Sequence, residues 1–171
     1  MRSRARLLGH PIHQMLIVFP LGLLATAVAF DIVYLVTGNG RWADIAFWMI
    51  SSGLIGGALA AIFGVIDYLA IPQHTRAKRI GATHGLGNMV VMLLFVFSWL
   101  LRNNGDPMQP AALAIGLSMA GAGLALVTAW LGGELVDRLA VGVDDGAHVD
   151  APSSLSDRPA TDHEHDAVAR Q

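Results

Sequence analysis

The sequence predicts an all-α membrane protein, with four transmembrane helices in an up-down antiparallel bundle and both termini cytoplasmic. Three observations lead there. The 171 residues are 54% hydrophobic and only 14% charged, against about 25% charged in soluble domains. Four apolar runs each reach the roughly 20 residues that cross a hydrocarbon core. The connections between them are short and rich in turn residues, which makes sequential helices antiparallel neighbours.

The first run covers residues 11–37 and opens with two histidines, in "LLGHPIHQMLIVFPLG". Pro11 suits a first helical turn, where its missing N–H costs nothing. A spacing of three then predicts that His10 and His13 share one side of that turn. Arg2, Arg4 and Arg6 ahead of it, and "ATAVAFD" within it, resemble a cleaved signal peptide. The apolar run continues through "FDIVYLVT", however, so it reads as a retained span.

The second run covers 45–71, after Gly38-Asn39-Gly40, and the third covers 80–101, after Pro72-Gln73-His74. The fourth covers 110–133, after Asn103-Asn104-Gly105-Asp106-Pro107. No backbone polar group can go unsatisfied in lipid, so all four are helices. Arg76, Lys78 and Arg79 join the N-terminal arginines on one side, against Arg41 and Arg102 on the other. That bias puts both termini in the cytoplasm of a multi-pass membrane protein, with Trp42, Trp48 and Trp99 near the outer boundary. Residues 1–143 form the membrane domain. Residues 144–171 are acidic, polar and without apolar period, the composition of a disordered cytoplasmic tail. The "DHEHD" at 162–166 reads as a solvated charge run.

Ionisable residues inside spans face a bundle interior, a cavity or a partner. On the second span Asp67 shares a face with Gly64, Ala60, Gly56 and Gly53. On the third, His84 lies among Gly81, Gly87 and Asn88, on a face that continues through Val91, Phe95 and Ser98. On the fourth, Gly116, Ala120, Gly123, Val127, Trp130 and Glu134 form a stripe. By depth, His10, His13, Asp67, His84 and Glu134 converge near the cytoplasmic face. Asp31 stands apart, about 27 Å up the first helix at 1.5 Å per residue, as a solvated or arginine-paired interfacial carboxylate.

Three readings of the cluster stay open. Haem b can be held by His84 with His13, or with His10, for electron transfer. Asp67 and Glu134 would then orient imidazole N–H groups or carry protons. Alternatively His10, His13, His84, Asp67 and Glu134 hold a divalent transition-metal ion, since mixed His and carboxylate ligation suits such ions. Third, the residues are structural and no cofactor is bound, as in an assembly subunit.

Other chemistries are excluded or unsupported. With no cysteine there is no disulfide, thiolate zinc site, iron–sulfur cluster or c-type haem attachment. A net charge of −2 gives no field for nucleic acid. Neither a nucleophile elbow nor a P-loop occurs, so a redox carrier or membrane subunit is favoured over a hydrolase or transferase. The spans show no inverted repeat or broken helix pair, which argues against a transporter. Besides the bilayer, the haem reading implies a redox partner. The small-residue stripes would serve a homodimer equally well.

"GHPIHQMLIVFPLGLLATAVAFD" at 9–31, "GATHGLGN" at 81–88 and "WLGGELVDRLAVGV" at 130–143 together resemble a bacterial membrane family of unknown function, DUF2231. The resemblance covers roughly residues 9–143 and implies four membrane helices in a bacterial inner membrane. It carries over His10, His13, His84 and Glu134. The family's occasional fusion to Rieske or c-type cytochrome modules implies respiratory redox chemistry by analogy, with respiratory redox proteins or quinone as partners. Gln14 and Asp137 depart from the family's pattern, where a proline and an aromatic are common.

Overall fold

A computed structural model of the chain describes residues 1–163. A two-stranded hairpin, β1 (Arg6–Leu7) and β2 (His10–Pro11), precedes α1 (Ile12–Leu16) and α2 (Val18–Thr37). Then come α3 (Gly40–Ala70), α4 (Arg76–Asn103) and α5 (Ala112–Gly133), the last continued by a π-helical turn, Glu134–Arg138. Four stretches, with α1 and α2 taken together, are long and apolar enough to cross a membrane. The fourfold helical architecture is therefore as the composition predicts.

Local chemistry moves the boundaries from those read by hydropathy. The α3 helix begins five residues before the apolar run, because the Asn39 side chain accepts from the Arg41 N–H at 3.1 Å. The Thr75 hydroxyl does the same for Lys78 at 3.1 Å and starts α4 at Arg76. Between α2 and α3, Gly38 takes φ +67°, a left-handed C-cap that suits glycine. The first span is interrupted at Ile17, between α1 and α2. Pro20 has no N–H to offer the Leu16 carbonyl four residues back, which is why the helix breaks there.

Residues 6–11 correct the expected first turn. Leu8 and Gly9 have φ of +50° and +87°, so the chain reverses in a tight turn and Leu7 pairs with His10. The residue before a proline resists helical backbone, so His10 sits on a strand and the helix begins only after Pro11. His10 and His13 thus do not share a helical face.

The helices pack as two hairpins, α2 on α3 and α4 on α5, with thinner seams where α3 meets α4 and α2 meets α5. Leu24, Ala27, Ala46, Ile50, Val91 and Phe95 form the buried centre. Outside, Val36, Ile55, Leu69, Leu113 and Leu126 are exposed, the apolar surface that lipid covers. Trp48 lies on this surface. Trp99 instead turns inward, stacking on Phe47 at 6.0 Å and donating to Ser51 at 2.7 Å.

The fourth-span stripe is also corrected. Gly116, Ala120, Gly123, Val127 and Trp130 are all exposed. The buried face of α5 is Ala114, Ile115, Ser118, Gly121, Thr128 and Leu131.

Residues 144–163 contain turns but no helix or strand, and they are tied to the N-terminal segment. Asp144 lies 3.0 Å from Arg2 Nε and 2.9 Å from Arg6 Nη1. Hydrogen bonds from Arg2 and then Arg6 hold its carboxyl well below the usual carboxylate range. The folded form therefore resists protonation more than the unfolded one. The stabilisation is complete above the ordinary carboxylate pKa and is lost only as pH falls towards the depressed folded value. Asp144→Asn should expose residues 1–6 to limited proteolysis at neutral pH. The wild type should show constant protection from about pH 5 to 8 and weaken in high salt.

Candidate functional site

One end of the bundle gathers the histidines, and each is held by a different partner. His13 projects from α1 onto α3, its Nδ1 at 2.8 Å from the Ala60 carbonyl. A carbonyl can only accept, so the ring donates through Nδ1–H and keeps the Nε2 lone pair. His84 makes the same contact from α4 to α5, with Nδ1 2.9 Å from the Thr128 carbonyl. Its Nε2 accepts from the Asn88 amide at 3.0 Å. Both rings lie flush against glycine. A Cβ on Gly64 would fall 2.9 Å from His13 Cε1, and one on Gly132 would fall 3.2 Å from His84 Cε1. Each imidazole therefore joins the two helices of one hairpin.

The other expected ligands turn elsewhere. The exposed His10 has its Nε2 3.3 Å from the Ser154 hydroxyl. Asp67 Oδ1 accepts from Ser3 Oγ at 2.7 Å and from the backbone N–H groups of Arg4 and Ala5 at 2.9 and 3.4 Å. Glu134 accepts from Arg76 at 2.7 Å. So Asp67 anchors the N-terminal segment and Glu134 ties α5 to α4, while backbone carbonyls take over the orienting of the imidazoles. Among the described residues, no group of three or more His, Asp and Glu side chains is placed to hold a metal ion. In the "DHEHD" run, His163 lies beside His148, with ring centroids 4.5 Å apart. Glu164, His165 and Asp166 lie outside the described residues.

A second polar centre occupies the opposite half of the bundle. Asp31 is arginine-paired rather than solvated. Arg102 reaches it through two bonds, Nη1 to Oδ1 at 2.9 Å and Nη2 to Oδ2 at 2.7 Å. Both side chains are 0% exposed. Ser118 donates to Asp31 at 2.8 Å, and Ser98 lies 3.3 Å from Arg102 Nε. Hydropathy ends the third run at residue 101 and leaves Arg102 just outside it, whereas the structure buries Arg102 within α4. The signal that places it inside is its position four residues after Ser98, on the face already running through Val91 and Phe95.

Residues 9–145 match a family described as "Predicted membrane protein (DUF2231)". No curated protein and no solved structure matches the chain.

Proposed function

We propose, for a chain that belongs to the DUF2231 family of predicted membrane proteins, that His13 and His84 hold haem b for electron transfer at the cytoplasmic side of a bacterial inner membrane. One observation carries this reading. Both imidazoles have Nδ1–H engaged by a backbone carbonyl, the arrangement in which a ligating histidine presents Nε2 to its metal.

Two ligands suffice for a b-type haem, whereas a zinc-like or manganese-like ion needs three or four. With no trio of His, Asp and Glu among the described residues, haem is favoured over the ion that mixed ligation would suit. The donor set fits: His13 offers a free Nε2, and His84 offers one when the Asn88 amide swings away. Haem would supply a one-electron couple, whose potential the two imidazoles and the surrounding apolar side chains would tune. The carbonyls of Ala60 and Thr128 keep the rings in the ligating tautomer. Arg2, Arg4, Arg6, Arg76, Lys78 and Arg79 give the histidine end its positive charge, which supports a cytoplasmic orientation. A quinone or a respiratory redox protein is the partner such a site would serve.

The test is a visible spectrum of purified protein, oxidised and dithionite-reduced. Sharp reduced bands should appear, vanish in His84→Ala and His13→Ala, and persist in Asn88→Ala. A featureless spectrum from haem-replete cells would remove the reading. A cofactor-free assembly subunit would then stand, favoured by the engagement of both His84 ring nitrogens.

A further inference from the structure

The geometry points to a chain built from two copies of one helical hairpin, paired face to face about a pseudo-two-fold axis along the membrane normal. The surface each hairpin presents is matched by the equivalent surface of the other, with the charge reversed where Asp31 meets Arg102.

The first helices of the two hairpins correspond at an interval of 71 residues. Leu24, Ala27 and Asp31 recur as Phe95, Ser98 and Arg102, and all six are buried. His13 recurs as His84 at the same interval. The second helices correspond at an interval of 68. Ala46, Ile50 and Ala60 recur as Ala114, Ser118 and Thr128, again all buried.

Contacts repeat along with positions. His13 bonds the Ala60 carbonyl as His84 bonds that of Thr128. Gly53 admits Leu24, a Cβ there falling 2.7 Å from its Cδ2. The corresponding Gly121 admits Phe95, at 2.8 Å from its Cε2. The interval shortens by three across the far connection, where Ala46 lies 15 residues after Asp31 but Ala114 lies only 12 after Arg102.

The seams obey the same relation. The contact of α2 with α5 is the equivalent of that of α4 with α3, and both occur. On a two-fold axis a residue meets its own equivalent, and Asp31 meets Arg102. Both hairpins start from the histidine end. The repeat is therefore parallel, consistent with spans that show no inverted one. A symmetric pair of hairpins would set Asp against Asp or Arg against Arg here. Opposite charges make the two copies fit each other better than themselves.

Mirror exchange tests this in the full chain. Asp31→Arg with Arg102→Asp keeps the ion pair but leaves the serines on the wrong side. Adding Ala27→Ser, Ser98→Ala, Ile50→Ser and Ser118→Ile moves the whole polar centre across the axis. The six-residue variant should regain most of the melting temperature that the charge exchange alone loses. No gain over the charge exchange would overturn the repeat. Should neither variant fold, a circular permutant beginning at Gln73, with residue 171 linked to residue 1, decides. Two equivalent hairpins assemble in either order. Insertion with a wild-type melting temperature supports the proposal, and failure to insert or to melt cooperatively rejects it.

Discussion

Arg102→Met is expected to lose most of the folded, monodisperse protein. Arg102 supplies two of the three hydrogen bonds that Asp31 receives, from a position with no exposure. Removing one partner of a buried pair leaves the other charge uncompensated, at a cost of about 3–5 kcal/mol. A membrane interior offers no water to relieve it. The double variant Asp31→Leu with Arg102→Met should recover much of the loss, because replacing both charges with apolar groups is often neutral. Thermal melting in detergent reads both. A single variant that melts like wild type would show that the pair does not hold the hairpins together.

Gly53→Val should come next in effect, at about 1–3 kcal/mol for overpacking. Its Cβ would fall 2.7 Å from Leu24 Cδ2 and 2.8 Å from Cγ. Cγ is the branch point of a buried side chain, so relief requires the whole of Leu24 to move and not only its Cδ2 methyl. Gly116→Val is the control, because among the described residues no atom beyond its chain neighbours and its own helix backbone lies within 4 Å of a Cβ built there. It should melt within a degree or two of wild type. Equal losses at both positions would mean that the lipid-facing assignment of Gly116 is wrong.

The two glycines show how far the sequence reads. Gly53 and Gly116 both belong to small-residue stripes at helical spacing, a pattern that predicts that each stripe faces another helix. One does and one does not. In water the polar face of a helix marks its outside, but in lipid both faces are apolar and that contrast is absent. The third span could be read correctly because His84, Asn88 and Ser98 mark its inner face. The fourth has Ser118 and Thr128 on its true inner face, outnumbered by glycines and alanines on the other.

Hydropathy and charge determined the number of spans, their order and the redirection of the chain at Gly38, Thr75 and the Asn103–Pro107 stretch. These depend on local composition and caps, which need no knowledge of what lies opposite. Only the tertiary structure decided which residues meet. Two imidazoles bond to carbonyls 47 and 44 residues away, and Asp31 meets Arg102 across 71. Asp67 and Glu134, expected beside the histidines, find nearer donors in Ser3, the backbone of Arg4 and Ala5, and Arg76. The physical reason is that helical spacing gives a side chain's depth and angle on its own helix. The rotation of that helix against its neighbours is set by packing, through contacts such as Leu24 on Gly53 and Phe95 on Gly121.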